Sequence, residues 1–438
     1  MATAQPSRIG VRTPPPNPHF RYVDGTLHCE KVSFAEIAAR HGTPTYVYSA
    51  GFIDEAVAAV DAALSSTPHR LAYAMKANDN LALVARMAKL GCGADIVSVG
   101  ELHRARKAGI PAQHIVFSGV GKRDDEIIEA PRQGIRSLHV ESSAELEVIA
   151  ALAKELGVQA PVSLRVNPDV DPQTHPYIST GLHRAKFGID LPAARKLVPE
   201  IVAHPHLRLE GLTCHIGSQL PFPEPLRESM TRMRSFAEEC RAMGAALSLL
   251  DAGGGWPAPY GDEERPYPPR EEYGRAILEG LGCSAERPLP YELWVEPGRT
   301  LVADAGVLLT RVIFIKERDG KRFVIVDAAM TELLRPALYG ASHAFVPVTE
   351  SAPEAALSPA DVVGPVCETG DFLALDLPLP SLKRGDLIAI RGAGAYAAVM
   401  SSQYNARPRA AEVMVEGESE RLVRRRESFE DLWRHELL

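Results

Sequence analysis

The sequence has few cysteines, no long apolar run and no excess of positive charge. Its six cysteines are scattered and include no Cys-x-x-Cys pair, which fits neither a zinc site nor a disulfide framework, so we expect reduced thiols in the cytoplasm. No apolar stretch approaches the roughly 18 residues of a membrane-spanning helix. The formal net charge of −8 provides no basic stripe for phosphates. Neither a membrane nor a nucleic acid is therefore an expected partner.

The two ends of the chain have little regular pattern. Residues 1–20, which contain the run PPPNP, are predicted as a flexible leader and lack the apolar core of a signal peptide. Near the C-terminus the run RLVRRRESFEDLWRHE mixes bases with acids and is predicted as a solvated helix. The length of 438 residues suggests two domains between these ends.

From about residue 70 to residue 300, short apolar strands alternate with stretches of helical period. Eight strands are predicted: LAYAMKAN (71–78), CGADIVS (92–98), HIVFSG (114–119), SLHVES (137–142), VSLRVN (162–167), LEGLTCHIGS (209–218), LSLLDAGGG (247–255) and ELWVEPGR (292–299). This alternation is typical of a parallel sheet covered by helices. Eight units favour a closed (β/α)8 barrel over the six-stranded dinucleotide-binding fold, since no GxGxxG opens a helix after the first strand.

After residue 300 the pattern changes to short strands punctuated by glycine. The stretch AGVLLTRVIFIKERDGKRFVIVDAAM predicts a hairpin around an Asp-Gly turn, and FRYVDGTLHCEKVSF near the N-terminus predicts another that joins the same domain. The predicted fold class is α/β, a (β/α)8 barrel with a second, mostly β domain. The predicted segments are a leader (1–20), N-terminal strands joining the β domain (21–48), the barrel (49–306) and the C-terminal β-rich domain (307–438).

The carboxyl ends of the predicted barrel strands carry polar residues and glycines, and in such barrels the chemistry lies at these ends. The set is Lys76, Asp95, Ser118, Glu141, Asn167, His215, Ser218, Gly253, Gly254, Gly255, Glu296, Gly298 and Arg299. Each member has an ordinary explanation, such as a lysine that reaches solvent, a core histidine, a glycine loop or a surface arginine. The combination is more informative than its members.

Together these residues offer the parts that pyridoxal 5′-phosphate (PLP) requires. Consecutive glycines let backbone amides approach a phosphate, a helix N-terminus after them would add its dipole, and Ser218 and Arg299 offer further donors. A lysine whose pKa is lowered by burial can bond to an aldehyde. The His215 ring can stack on a planar cofactor, and Glu296 can hold a proton on a heteroaromatic nitrogen. We therefore expect Lys76 to carry PLP covalently, and no metal site is predicted.

The chain resembles the alanine-racemase-like, barrel-type PLP-dependent decarboxylases over nearly its whole length. The family's lysine motif stands here as YAMKAN, its ring-stacking motif as CHIGSQ, its phosphate loop as GGG and its acid-and-phosphate motif as EPGR. The resemblance implies that Lys76 carries PLP, that His215 stacks on its ring and that Glu296 pairs with the pyridine nitrogen. It places Asp95 near the lysine. The implied phosphate contacts are Ser218, Gly254, Gly255, Gly298, Arg299 and Tyr396.

Three motifs resemble the diaminopimelate branch of this family rather than its ornithine branch: STGLHRAKFG (179–188), RPALYGASH (335–343) and CETGDFLA (367–374). The resemblance implies conversion of meso-2,6-diaminopimelate to L-lysine and carbon dioxide, the last step of lysine biosynthesis, with Cys367 as proton donor. The implied substrate contacts are Arg299, Arg335, Tyr339, Glu368 and Tyr396. Ornithine or lysine lacks the second carboxylate that would match Arg335.

The resemblance also implies assembly into a homodimer. Cys367 and Glu368 would reach the active site of the other subunit, so each site would be shared across the interface. The stretch VMSSQYN (399–405) ends in a tyrosine–asparagine pair, and its residues before that pair differ from the usual sequence of the family.

Two alternatives stay open from the sequence. The first keeps PLP and changes the reaction to decarboxylation of ornithine, a D-amino acid or a carboxylated polyamine, or to racemisation, which is disfavoured because a racemase pairs the pyridine nitrogen with arginine. The second is a catalytically inactive homologue that regulates a partner. Retention of Lys76, His215, Glu296 and Cys367 together argues against the second alternative.

Overall fold

The protein is described by a computed structural model that covers residues 16–171, 186–261, 263, 265–284, 287–352 and 354–438. Most of the predicted leader and residues 179–185 of the motif STGLHRAKFG lie outside the described residues. The chain divides into two compact units. The β unit comprises the residues up to Glu55, Ala258–Pro266 and Leu301–Leu438, and the barrel unit comprises Ala56–Pro257 and Tyr267–Thr300. The predicted division into four segments stays a prediction.

The β unit begins with a small antiparallel sheet, a helix and a strand. These elements are β1 (Phe20–Val23), β2 (Thr26–Cys29), β3 (Val32–Ser33), α1 (Phe34–His41) and β4 (Thr45–Ser49). The strands β1 and β2 form the hairpin predicted from FRYVDGTLHCEKVSF. Its turn residues Asp24 and Gly25 have φ of 49° and 73°, the left-handed conformation that a two-residue hairpin turn requires.

In the barrel unit, eight parallel strands close into a barrel. These strands, together with the short accessory strand β10, are β5 (His69–Ala74), β6 (Gly93–Ile96), β7 (Ile115–Phe117), β8 (Ser137–Val140), β9 (Ala160–Asn167), β10 (Ile189–Asp190), β11 (Leu207–Thr213), β12 (Leu249–Asp251) and β13 (Glu292–Val295). Closure is made by the pairing of β13 with β5 and of β8 with β9. All eight predicted strands are present, and the predicted barrel is confirmed.

Helices alternate with the barrel strands as the pattern predicts, beginning with a helix that precedes β5 and whose first six residues belong to the β unit. They are α2 (Ala50–Ala63), α3 (Leu81–Lys89), α4 (Val99–Lys107), α5 (Asp124–Arg132), α6 (Ser143–Leu156), α7 (Leu191–Ala203), α8 (Glu224–Ala242) and α9 (Arg270–Leu281). Polar residues between strand and helix fix several of their starts. Asn80, Ser98, Ser142 and Asp190 each accept a hydrogen bond from a first-turn amide, so the strand-to-helix turns above the barrel are tightly defined.

The chain after the barrel completes the β unit. Its elements are α10 (Arg299–Val302), whose first two residues belong to the barrel unit, β14 (Gly306–Arg318), β15 (Lys321–Val326), α11 (Arg335–Tyr339), β16 (Phe345–Pro347), β17 (Ser358–Val363), β18 (Phe372–Leu379), β19 (Leu387–Arg391), β20 (Ala411–Glu416), β21 (Ser419–Arg424) and α12 (Glu430–Trp433). The strands run in the order β18-β17-β15-β14-β4-β20-β21, with β19 also paired to β14. The Asp319–Gly320 turn joins β14 to β15, so the predicted hairpin and the mostly β second domain are confirmed.

The prediction of a solvated helix over RLVRRRESFEDLWRHE is wrong for its first part. Residues Arg421–Arg424 lie in β21, and the helix is limited to the single turn of α12. Pairing with β20 explains the difference, because it places Arg424 in an ion pair with the buried carboxylate of Glu412. A local charge pattern does not reveal a strand partner of this kind.

Candidate active site

Lys76 lies in a short 3-10 turn, Met75–Ala77, after β5. The predicted strand LAYAMKAN is therefore too long, because the chain leaves the ladder after Ala74, whose amide donates to the carbonyl oxygen of Pro297 at 3.1 Å. The turn brings Nζ of Lys76 to 2.7 Å from Oδ2 of Asp95 in β6. The expected burial of Lys76 is wrong, since its side chain is 39% exposed and pairs with a fully buried carboxylate.

The charge state of Asp95 follows from this pairing. Burial raises its pKa, but the charge and hydrogen bond of Lys76, together with a hydrogen bond from Ser118, bring the pKa below its ordinary value. Asp95 is thus a carboxylate at neutral pH. It holds the Lys76 amine at the carboxyl ends of β5 and β6.

His215 follows β11 and presents a neutral, flat ring. The amide of Gly254 donates to its Nδ1 at 3.0 Å, so this nitrogen carries no proton. Burial, together with the nearby positive charges of Arg165 and Lys76, lowers the pKa of His215 to about 3. An uncharged ring fixed by a backbone hydrogen bond is suited to stacking on a planar cofactor.

The glycine loop after β12 packs backbone against backbone. Gly253 and Gly255 have φ of +69° and +100°, which side-chain-bearing residues rarely adopt. A Cβ on Gly254 would lie 2.5 Å from the carbonyl oxygen of Glu296, so no larger residue fits there without movement of the loop. The expected helix N-terminus directly after the loop is wrong, because the next helix begins only at Arg270.

Arg299 and Ser218 meet beside this loop. The Nη2 and Nε atoms of Arg299 lie 3.3 and 3.4 Å from Oγ of Ser218. Gly298 lets the ends of β13 and β5 approach, since a Cβ there would lie 2.9 Å from the Cβ of Ala74. A guanidinium, a hydroxyl and a glycine loop form a set of donors suited to a phosphate group.

Glu296 follows β13 and belongs to a buried acidic cluster. Its Oε1 lies 3.6 Å from Nδ1 of His139, and the Ser118 hydroxyl lies 3.4 Å from the same oxygen. Burial and the neighbouring carboxylates Asp251 and Asp95 raise the pKa of Glu296 well above its ordinary value.

The partners of Glu296 are also shifted in pKa by burial. Burial raises the pKa of Asp251 to about 7 and lowers that of His139 to about 3. The cluster therefore favours neutral groups, and a proton is available at Glu296 for a base placed against it.

Sequence reasoning missed His139, Asp251 and Arg165. Strand side chains alternate between faces, so His139 shares a face with Glu141, and that relation could have identified it. Asp251 lies two residues before the first glycine of the loop, Gly253, and its Oδ1 accepts from the Gly253 amide at 2.8 Å. The available signal was the presence of titratable side chains within predicted buried strands.

Arg165 and Glu141 form a buried pair at the ends of β9 and β8. Nη1 of Arg165 lies 2.5 Å from Oε1 of Glu141, and Oε2 of Glu141 accepts from the Gly188 amide at 2.8 Å. The Arg165 guanidinium also lies over the Phe187 ring, 4.9 Å from its centroid. These contacts fix the end of the motif STGLHRAKFG.

The remaining predicted residues belong to the β unit. Arg335 is buried at the start of α11, and its guanidinium lies over the ring of Tyr260. Tyr339, at the end of the same helix, is exposed. Tyr396 has φ of 55°, which is uncommon for an aromatic residue and is often found at functional sites.

Cys367 and Glu368 lie in an exposed turn of the β unit. The amide of Cys367 donates to Oδ1 of Asn405 at 2.8 Å. The carboxylate of Glu368 accepts from the Gly370 amide at 3.3 Å. The turn is thus internally braced and presents a thiol and a carboxylate at the surface.

Comparison with known proteins gives a consistent result. The family described as "Pyridoxal-dependent decarboxylase, pyridoxal binding domain" matches residues 51–303. The chain is 48% identical to a diaminopimelate decarboxylase of Pseudomonas aeruginosa over 96% of this chain and 99% of the relative. A crystal structure of diaminopimelate decarboxylase from Helicobacter pylori complexed with L-lysine has a TM-score of 0.87 and 42% identity, covering 92% of this chain and 98% of the other. The corresponding L-lysine complex from M. jannaschii has a TM-score of 0.90 and 35% identity, covering 96% and 98%.

Proposed function

The chain belongs to the family of pyridoxal-dependent decarboxylases, and we propose that it converts meso-2,6-diaminopimelate to L-lysine and carbon dioxide, the last step of lysine biosynthesis. It is a PLP-dependent carboxy-lyase that acts on a small amino acid. Relatives named diaminopimelate decarboxylase match nearly the whole chain, and two solved relatives hold L-lysine, the product expected here.

The residues of the barrel unit fit PLP. The glycine loop cannot accept a Cβ at Gly254 without movement, which is expected of a backbone that must approach a phosphate closely. We assign the phosphate to Ser218, Gly254, Gly255, Gly298 and Arg299, with Tyr396 as a further contact. Lys76 binds the cofactor covalently, and the neutral ring of His215 stacks on it.

Protons are held at two positions during the reaction. When PLP is bound, its ring supplies an electron sink for the pair left on the α-carbon as the carboxylate departs. Glu296, whose pKa burial raises, holds a proton at the pyridine nitrogen and so keeps that sink deep. The Cys367 thiol then gives a proton to the α-carbon, which completes the exchange of carboxylate for hydrogen.

The substrate assignment rests mainly on the burial and the contacts of Arg335. It is buried, its guanidinium lies over the Tyr260 ring, and its Nη1 lies 2.9 Å from Nε2 of His343. A buried cation of this kind suits the second carboxylate of diaminopimelate. Glu368 provides an acid for the distal amine, and Arg299, Tyr339 and Tyr396 are the other proposed contacts.

We further propose a homodimer with shared active sites, in the cytoplasm. Cys367 and Glu368 are exposed, as residues that act in another subunit would be in a single chain. All six cysteines are free thiols, which supports a reducing compartment.

A direct assay tests the function. The PLP-loaded protein is incubated separately with meso-diaminopimelate, ornithine, arginine and lysine, and carbon dioxide and the amine product are measured. We expect turnover of diaminopimelate alone. Arg335→Ala should lower kcat/KM on diaminopimelate by about tenfold or more, with unchanged PLP content. Turnover of ornithine at a comparable rate, or an Arg335→Ala protein with full kcat/KM, would favour the related decarboxylase instead.

A further inference from the structure

The Arg335 guanidinium is fixed by two side chains of the β unit. Its Cζ lies 4.2 Å from the centroid of the Tyr260 ring, and its Nη1 lies 2.9 Å from Nε2 of His343. Arg335, Tyr260 and His343 are all buried. A planar group held on one face and at one edge has little freedom to rotate.

The second ring nitrogen of His343 determines its tautomer. Nδ1 lies 2.8 Å from the carbonyl oxygen of Arg391, and a carbonyl oxygen only accepts, so Nδ1 carries the proton. Nε2 then presents a lone pair and accepts a hydrogen bond from Arg335. The imidazole is therefore neutral, and its acceptor is aimed at the guanidinium by the backbone of β19.

Close packing fixes the two partners of Arg335 relative to each other. The rings of Tyr260 and His343 meet edge to face, with centroids 5.3 Å apart. Gly392 follows β19 with φ of +72°, and a Cβ there would lie 2.8 Å from the Tyr260 ring and 3.5 Å from Nδ1 of His343. Glycine at this position therefore lets both rings sit against the backbone.

We infer that His343 is a positioning residue for substrate specificity. It orients the Arg335 fork, on the Tyr260 ring as a platform, toward the carboxylate that remains in the product. The inference rests on the proposed function, since it requires Arg335 to bind that carboxylate. Because His343 and Tyr260 are uncharged, these two contacts orient the guanidinium and do not themselves compete with a carboxylate for its charge.

Two substitutions of His343 separate its two hydrogen bonds. His343→Gln places an amide oxygen near the Nε2 position and keeps an acceptor for Arg335, whereas His343→Asn keeps only a donor for the Arg391 carbonyl. The measurement is competitive inhibition by L-lysine and by 1,5-diaminopentane, which has the same carbon chain and no carboxylate. We expect His343→Asn to raise the inhibition constant of L-lysine about tenfold and to leave that of diaminopentane unchanged, and His343→Gln to restore L-lysine binding.

The controls separate failure of this inference from failure of the proposed function. Arg335→Ala should be selective against L-lysine, and if it weakens both inhibitors equally or neither, the proposed role of Arg335 fails. If Arg335→Ala is selective and His343→Asn is not, the positioning role of His343 is overturned. The same comparison of inhibitors is made at the other contact with Tyr260→Leu and Tyr260→Phe. Phenylalanine keeps an aromatic ring under the guanidinium and leucine does not, so loss of L-lysine binding is expected only for Tyr260→Leu. PLP content and the thermal midpoint verify that each variant is folded.

Discussion

Two lysines of the barrel unit differ in burial, and the less buried of them is the proposed carrier of the cofactor. The Lys122 side chain is only 1% exposed, and its Nζ donates to the carbonyl oxygens of Gly119 and His139 and to the carboxylate of Glu145. Its hydrogen-bonding capacity is therefore filled by fixed acceptors, and its role is structural. Lys76 is more exposed and has Asp95 beside it at the strand ends, so its amine can be reached.

We expect Lys76→Ala to abolish turnover and the covalent PLP adduct. After borohydride reduction and digestion, mass spectrometry of the parent protein should locate the adduct at residue 76. Lys122→Met is the matched control, because it should keep the adduct at Lys76 while lowering stability by about 3–5 kcal/mol through the unpaired Glu145. An adduct on a different lysine of an active protein would refute the assignment.

The buried His139 predicts a pH dependence of stability. Its native pKa is lowered to about 3, whereas a histidine in the unfolded chain titrates near about 6.5. Between about pH 6.5 and about pH 3 the unfolded chain therefore binds up to one more proton at this residue than the native protein, and this group makes stability fall as the pH falls, by about 1.4 kcal/mol per pH unit. Asp251, with its pKa raised to about 7, contributes with the opposite sign, so the contribution of His139 must be isolated by substitution.

His139→Asn removes this titration and keeps an acceptor for Ser118. As the pH is lowered from about 6 to about 4, the free energy of unfolding of the variant should rise relative to that of the parent by about 1.4 kcal/mol for each pH unit. Urea unfolding of the cofactor-free protein measures the difference. His103→Asn, at an exposed histidine, should run parallel to the parent. Parallel curves for His139→Asn as well would show that His139 has no native pKa shift.

At the scale of the element, the glycine loop tests whether close backbone packing serves the cofactor. Gly254→Ala would place a Cβ 2.5 Å from the Glu296 carbonyl oxygen and must displace the loop. We expect PLP affinity to fall about tenfold or more, as measured by titration of the cofactor-free protein. Gly121→Ala is the control, since a Cβ there meets no atom within 4 Å. Equal affinities of the two variants would exclude a phosphate role for the loop.

The strand ends also show how far the site can be predicted from sequence. Lys76, Asp95, His215, Ser218 and Glu296 all emerge at strand ends because the parallel barrel places every carboxyl end on one side. Asp251 and His139, which lie close to Glu296, were missed because they belong to the strands β12 and β8 themselves and their proximity to Glu296 depends on barrel closure. The exposure of Lys76 was missed for a related reason: a strand and the 3-10 turn that follows it carry the same apolar letters.

For the whole molecule, the alternation of strands and helices predicts the barrel because strands buried on both faces are apolar throughout. It is harder to predict from sequence which parts of the chain form the β unit, since this unit joins three separated stretches of chain. The short stretch Ala258–Pro266 belongs to it because Tyr260 packs on Arg335, His343 and Gly392, all distant in sequence. Such contacts leave no local periodicity for sequence reasoning to detect.

Assembly gives the last prediction, in which two inactive proteins restore activity when mixed. If Cys367 acts in the other subunit, a dimer of Lys76→Ala with Cys367→Ala contains one site with both residues intact. After free exchange in an equal mixture half of the dimers are mixed, and each has one working site of two. The activity should therefore recover to about a quarter of the parent value.

The location of each residue in the two units provides the control for this experiment. Lys76 and Glu296 lie in the same barrel unit, so a mixed dimer of Lys76→Ala with Glu296→Gln has one defect in each barrel and should stay as inactive as its components. Subunit exchange is verified by mass spectrometry of differently tagged chains. If the Lys76→Ala and Cys367→Ala chains exchange and no activity returns, Cys367 must serve its own chain, because a complete site would otherwise exist in every mixed dimer.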